Sequence, residues 1–196
     1  MKYMLAKKEA MTQVFDEAGR VRPATILSAG PLTVTQKGVG SYQVGYGEKK
    51  SSRVNKAQRH LSPKEGFGFE FLRSVKADAM GEVGSVIDAS IFTPGEKVKV
   101  SAVSKGKGFQ GVVKRHGFKG GRRTHGQKHS EREPGSIGAT GPQRVFKGIR
   151  MAGRMGGDRV TVSNLEIIQV NPEAKLILVA GAVPGRRGTL VEIKSK

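Results

Sequence analysis

Cysteine and tryptophan are both absent from the 196-residue chain. Without cysteine there is no disulfide framework and no thiolate metal site. No apolar run approaches the roughly 20 residues that a membrane-spanning helix needs. The opening stretch, Met1-Lys2-Tyr3-Met4-Leu5-Ala6-Lys7-Lys8, lacks the apolar centre of a signal peptide. That absence predicts a chain that stays where it is made, with the cytoplasm as the default and a processed organellar protein as the alternative. Acids are also scarce: 16 Asp and Glu stand against 35 Lys and Arg, giving a formal charge of +19 and a pI near 10.5. A charge of that size points to a phosphate-rich partner. At 36% hydrophobic residues the chain holds enough apolar surface for one modest core.

The positive charge is concentrated. Fourteen basic residues lie between 105 and 159: Lys105, Lys107, Lys114, Arg115, Lys119, Arg122, Arg123, Lys128, Arg132, Arg144, Lys147, Arg150, Arg154 and Arg159. Only Glu131, Glu133 and Asp158 oppose them, and the same stretch holds 14 of the 28 glycines. It has too little apolar surface to offset its ordering entropy, and its like charges repel. A polyanion is therefore expected to order it. Binding to an acidic membrane needs an amphipathic helix, and a glycine about every fourth residue argues against one here. Nucleic acid is the expected partner; neither a membrane nor a small-molecule substrate is expected.

The flanks read as short strands separated by turns. Val21 to Leu27 and Leu32 to Thr35 are divided by Gly30-Pro31, and Tyr42, Val44 and Tyr46 alternate with Gln43 and Gly45. Val83 to Ile91 and Lys97 to Val103 are two more candidates, with Pro94-Gly95 as the turn between them. In the second, Val98, Val100 and Ala102 point one way and Lys97, Lys99 and Ser101 the other. Val160 to Val170 and Leu176 to Val179 flank Asn171-Pro172-Glu173 and predict a hairpin. After the turn Ala182-Val183-Pro184-Gly185, Leu190 to Ile193 is a last strand. Asn55 to Leu61 reads as a short helix ended by Ser62-Pro63. The expected fold is mainly β, a small closed barrel built from residues 1–103 and 160–196. Residues 104–159 form a long, largely irregular extension between its strands. Long structureless insertions are usually functional. The two ends of this one are expected to lie together, so that it projects as an arm.

Four motifs in the arm have competing readings. Gly106-Lys107-Gly108-Phe109-Gln110-Gly111-Val112-Val113 matches a nucleotide-binding glycine loop. The surroundings do not support it. A dinucleotide site needs a helix after the glycines and an acid about 20 residues on, whereas the sequence runs into Lys114-Arg115-His116-Gly117. The kinase motifs V-A-I-K, H-R-D and D-F-G are missing. Close backbone approach to phosphate at Gly106, Gly108, Gly111, Gly117, Gly120, Gly121, Gly126, Gly153 and Gly156 is the better reading. His116, His125 and His129 cluster without cysteine, among cations and outside any H-E-x-x-H, so stacking on a base or bonding a phosphate fits better than a metal. Phe109, Phe118 and Phe146 either stack on splayed bases or pack the arm on itself. Glu131, Glu133 and Asp158 are expected to pair with Arg132, Arg154 or Arg159, or to face solvent. Together with the fourteen cations, the three histidines complete the predicted RNA-binding set. No catalytic residue, metal or cofactor is expected.

The residues that carry this reading also carry a resemblance. Ser104 to Gly111, Lys114-Arg115-His116-Gly117-Phe118, Thr124-His125-Gly126, Pro134 to Gly138, Arg144 to Gly148, Met151 to Gly156, Arg159 to Val162 and Gly181 to Gly185 resemble, in order, the universal large-ribosomal-subunit protein L-three family. The opening Lys7-Lys8 and Met11 to Phe15 are similar as well, and the length suits its bacterial-type branch. The resemblance implies a translation-protein-type β-barrel and an extension threaded through 23S-type rRNA towards the peptidyl transferase centre. It implies early binding in subunit assembly and neighbours such as the proteins L-fourteen and L-nineteen. It also implies that no chemistry is contributed. This chain departs from the family in three places. Glu9-Ala10 stands where the family has a glycine before Met11-Thr12, which is expected to alter a turn. Ala139 to Gln143 is one residue shorter, so the glutamine modification of some members is not assigned to Gln143. His116 stands where tryptophan is often found, and its imidazole stacks more weakly than an indole.

Overall fold

The computed structural model describes residues 2–62, 66–77 and 80–195. Two compact units emerge: Met1–Val103 with Arg159–Lys196, and Ser104–Asp158. The first holds a closed six-stranded antiparallel barrel. Its strands are β1 (Tyr3–Phe15), β2 (Val21–Ser28), β7 (Lys97–Val103), β10 (Arg159–Asn171), β11 (Leu176–Ala180) and β12 (Leu190–Ser195). They close in the order β1-β12-β7-β10-β11-β2. Closure leaves no unpaired strand edge in this small core.

Alternation along each strand fills the interior. Met4 and Ala6 of β1 stand opposite Ile193 and Val191 of β12. Val100 and Ala102 of β7 meet the same two residues from the other side. Leu27 of β2 faces Ile177 of β11. All these side chains are buried. Thr25 is the polar member of the wall, and its hydroxyl donates to the Gly181 carbonyl at 2.6 Å, so burial leaves no unmet donor.

A second sheet covers one outer face. Its strands are β3 (Leu32–Gly38), β4 (Ser41–Lys50), β5 (Phe67–Lys76) and β6 (Val86–Ile87), in the order β5-β4-β3-β6. The period-2 run Tyr42, Val44, Tyr46 supplies its buried face. That cover explains why Tyr3 and Leu5 are buried although they point away from the barrel interior. The Tyr46 hydroxyl donates to the Ser28 carbonyl at 2.8 Å, and burial raises its pKa above the ordinary phenol value. Lys7 lies 2.6 Å from Glu70 and over the Phe71 ring. Gly45 is required here, because a Cβ on it would sit 2.4 Å from the Phe69 ring.

The hairpin at Asn171-Pro172-Glu173 forms, with Asn171 paired to Leu176 and the Lys175 amide donating to the Pro172 carbonyl. Two sequence expectations need correction, the strand over Val83 to Ile91 and the turn at Glu9, and two others gain detail. Val83 to Ile91 is strand only at Val86–Ile87 and 3-10 helix at Ala89–Ile91; Gly84 has φ +92°, which keeps the extended run from starting at Val83. The helix near residue 55 is a 3-10 helix, Lys56–Leu61, with Ser62 at its end, and Pro63 lies outside the described residues. Ser101 is buried on the outward face, where its hydroxyl is bonded to that of Thr161 at 2.8 Å. At Glu9 the chain forms no turn; β1 shifts register between Lys8 and Ala10, which marks a bulge.

Ile193 has no exposed surface. Ile193→Ala should cost about 2–5 kcal/mol through lost burial and the cavity left behind. Lys99→Ala, on an exposed face of the same sheet, should stay within about 0.5 kcal/mol. Urea unfolding of the two variants checks both; equal losses would place the core elsewhere.

Candidate nucleic-acid interface

The Ser104–Asp158 unit is held by its ends. The Ser104 amide donates to the Asp158 carbonyl at 2.9 Å, Lys107 to Met155 at 2.9 Å and Met155 to Gly108 at 2.9 Å. The ladder ends in β8 (Phe109–Gln110) paired with β9 (Gly153–Arg154). Val112 is its sole fully buried hydrophobic side chain. Backbone pairing, not a core, therefore organises this part of the chain.

One helical turn, α1 (Val112–His116), follows β8. The sequence reading found no helix after these glycines; the structure has one of five residues. Gly111 enters it in an extended conformation, and Gly117 stops it at φ +73°, its amide donating to the Val113 carbonyl. At the end of this turn Arg115 and His116 both reach the Met151 carbonyl, at 2.7 and 3.0 Å. They are the two half-buried members of the predicted set. The other fifteen are exposed: Lys105, Lys107, Lys114, Lys119, Arg122, Arg123, His125, Lys128, His129, Arg132, Arg144, Lys147, Arg150, Arg154 and Arg159.

Exposure does not leave every cation unpaired. Arg123 lies 2.6 Å from Glu131, and Arg159, within the barrel unit, pairs with Glu192. Glu131 thus takes Arg123 in place of the cations expected for it, and Arg159 takes Glu192 of β12 in place of an acid of its own stretch. Phe118 packs within its own unit, 6.0 Å from His116 and under Arg150 at 5.7 Å. Phe109 and Phe146 are exposed, the latter under Arg144 at 5.4 Å. His125 and His129 are not joined by a third ligand; among the described residues no group of three or more His, Cys, Asp or Glu is placed to hold a metal.

The nine glycines divide into two groups. A Cβ on Gly120 would fall 2.0 Å from the Glu131 carbonyl oxygen, and one on Gly156 would fall 2.1 Å from that of Lys105. Gly121 and Gly153 are similarly closed in, by Gln127 and Arg115. Gly120 and Gly156 are needed by the chain itself, because fixed backbone stands in the way; at Gly121 and Gly153 the nearest obstacle is the movable end of a side chain. Gly106, Gly108, Gly111, Gly117 and Gly126 have nothing within 4 Å of a Cβ, so their backbone is open to an outside group. His125, at φ 63°, precedes Gly126 at φ 78°, two left-handed residues in succession in an exposed loop.

A second cationic feature lies on the barrel unit. A groove of about 420 Å³ is lined by Arg73, Ser101, Arg159, Thr189, Glu192 and Lys194 among others. Arg73 and Arg159 both approach Glu192, which cancels part of their charge. Sequence reasoning missed this groove because strand pairing gathers residues more than a hundred positions apart. Its one visible trace was Leu190-Val191-Glu192-Ile193-Lys194, whose alternation puts Glu192 and Lys194 on the outer face.

Comparison with known proteins bears on this arrangement. The model of the family described as Ribosomal protein L3 matches residues 76–176. The chain belongs to the ribosomal protein L3 family. An L3 relative in Carboxydothermus hydrogenoformans, named Large ribosomal subunit protein uL3, is 46% identical over 202 residues, covering 98% of this chain and 96% of its own. One of the same name in Acidothermus cellulolyticus is 48% identical over 205 residues, covering 100% of this chain and 92% of its own. The L3 family match takes in β7, the whole Ser104–Asp158 unit and β10. L3 is a structural ribosomal component and not an enzyme, which leaves the glycine-loop motif without an enzymatic role.

Gly156→Ala should break the Lys107–Met155 ladder, through roughly 1–3 kcal/mol of backbone strain added to the clash with Lys105. Amide exchange at Lys107 and Met155 should quicken at least about tenfold while the barrel amides keep their rates. Gly106→Ala, with open space around it, should leave them unchanged. Unaltered exchange in Gly156→Ala would mean that the ladder does not hold the unit together.

Proposed function

We propose that the chain is a structural constituent of the large ribosomal subunit, cytoplasmic within the ribosome, and that the 104–159 segment binds 23S-type rRNA. The observation that carries this reading is a core-poor insertion whose cations face outward, in a chain of the L3 family. Lysines and arginines neutralise phosphates that would otherwise repel as RNA segments pack, and released counterions supply much of the affinity. Arginine adds a planar set of donors that lysine lacks. Gly106, Gly108, Gly111 and Gly126 give the backbone close access to phosphate, while the Gly117 amide is already engaged by the Val113 carbonyl. Phe109 and Phe146 present exposed rings for unpaired bases. Arg115 and His116 serve differently: they fix the root of the segment through Met151, so their contribution to RNA binding is indirect.

In this reading the segment is an arm that enters folded rRNA and extends towards the peptidyl transferase centre. The barrel stays at the subunit surface, beside proteins such as L-fourteen and L-nineteen. Early binding helps begin subunit assembly, because one chain then ties together RNA segments distant in sequence. No nucleophile, base or metal enters the mechanism.

The chain should co-sediment with the large subunit through a high-salt wash; release at moderate salt would instead indicate a free RNA- or DNA-binding regulator. Deleting 115–150 should leave the barrel folded by circular dichroism yet impair particle assembly, and normal subunits from such a strain would contradict the reading. Binding of the full chain to large-subunit rRNA should weaken steeply with salt. Replacing Lys119, Arg122 and Lys147 by alanine should reduce the log–log slope by about 0.7–0.9 for each phosphate no longer neutralised. An unchanged slope would place the RNA-binding surface elsewhere.

A further inference from the structure

The hairpin joining β1 and β2 extends past the barrel. β2 pairs with β11 only as far as Ala24, opposite Ala180. Beyond that point Gln13, Val14 and Phe15 pair with Pro23, Arg22 and Val21, and the last backbone link to the β11 side is the Pro23 carbonyl, which accepts the Gly181 amide at 2.8 Å. Alternation continues along the ribbon. Thr25 and Leu27 point into the barrel, so Pro23 and Val21 continue the same face, with Met11, Gln13 and Phe15 opposite them on β1. Inside the barrel that face is core; on the ribbon no strand covers it. Phe15 is 63% exposed, Val21 54% and Met11 51%.

The ribbon is fixed by its turn. The Asp16 amide donates to the Arg20 carbonyl at 3.0 Å, the Gly19 amide to the Asp16 carbonyl at 2.9 Å, and the Asp16 carboxylate accepts the Arg20 amide at 2.7 Å. An isolated two-stranded hairpin is marginal in water, and an apolar face held out on one marks an interaction site.

Charge separates the possible occupants. The chain is +19 overall, but the ribbon tip carries two acids, Asp16 and Glu17, against one cation, Arg20. Its Arg22 is neutralised by Glu166 at 2.6 Å, a pairing that also lowers the Glu166 pKa. Phosphate oxygens meet two carboxylates here against the one guanidinium of Arg20, since Arg22 is already engaged by Glu166. A second copy would set the same excess of acid against itself. A basic polypeptide is favoured by that excess.

We propose that the Met11–Pro23 ribbon docks a basic polypeptide segment of another protein in the particle, with Phe15 and Val21 as the apolar anchor and Asp16 and Glu17 as its charged rim. The inference rests on the ribosomal reading above but assigns this end of the barrel to protein, not RNA. Aromatic anchors with a polar rim are the usual anatomy of such interfaces.

The test places benzoyl-phenylalanine at position 15 of the full chain and irradiates purified large subunits. The expected product is a cross-link to a Lys/Arg-rich peptide of another subunit protein, identified by mass spectrometry. Adding Glu17→Lys should cut its yield about tenfold by rim repulsion without altering barrel melting. A cross-link to rRNA, a cross-link to a second copy, or none at all in intact subunits overturns the proposal. A chain that never enters the large subunit overturns the ribosomal reading itself, and this inference with it. The same photoprobe at His125 distinguishes the two: capture of rRNA there with no protein captured at position 15 leaves the function standing and removes only the docking surface.

Discussion

The antiparallel pairing of Val103 with Arg159 is the constraint on which the rest depends. β7 and β10 are neighbours in a closed barrel, so both ends of the inserted unit are delivered to one place by a core that the insertion does not help to build. Within the inserted unit, the ladder from Ser104–Asp158 to Phe109–Arg154 pairs its two ends with each other. A segment with one buried hydrophobic side chain and thirteen Lys and Arg residues does not stabilise itself by burial. It is shaped by what precedes it in space, and its charge is left for a partner.

This division assigns different work to similar residues. Arg115 and Arg144 look alike in sequence, yet one holds the Met151 carbonyl and the other lies exposed beside Phe146. Gly156 and Gly106 are equally glycine, yet a Cβ on the first would strike the Lys105 carbonyl and one on the second meets nothing. Opposite logic governs the β1–β2 ribbon, where apolar residues and acids stand out from a basic chain. In the proposed account, the inserted unit addresses RNA and the ribbon addresses protein.

The barrel was legible where alternation was intact. β7 was read with its correct ends because Val98, Val100 and Ala102 alternate with polar residues after the Pro94-Gly95 turn. β1 was missed because Lys7, Lys8 and Glu9 interrupt its apolar run. The fold accommodates them with partners no local pattern reveals: Glu70 for Lys7, and the Val183 and Gly185 carbonyls for Lys8 at 2.6 and 3.1 Å. β5 was missed although Phe67, Phe69 and Phe71 alternate with Gly68 and Glu70, because Leu72 and Arg73 then reverse the phase. The cationic segment was visible from composition alone. Its internal engagements were not, because Arg123–Glu131 and Arg115–Met151 depend on loop geometry. Nor was the Arg73–Glu192–Arg159 cluster, which only strand order assembles.

The most direct test of the central claim is a cryo-electron-microscopy map of the large subunit from the organism that makes this chain. The account predicts density for residues 104–158 lying between rRNA segments, with the side chains of Lys119, Arg122, Arg144 and Lys147 against phosphates and the barrel at the particle surface. A map in which the barrel is bound while residues 104–158 face solvent, away from RNA, would contradict it.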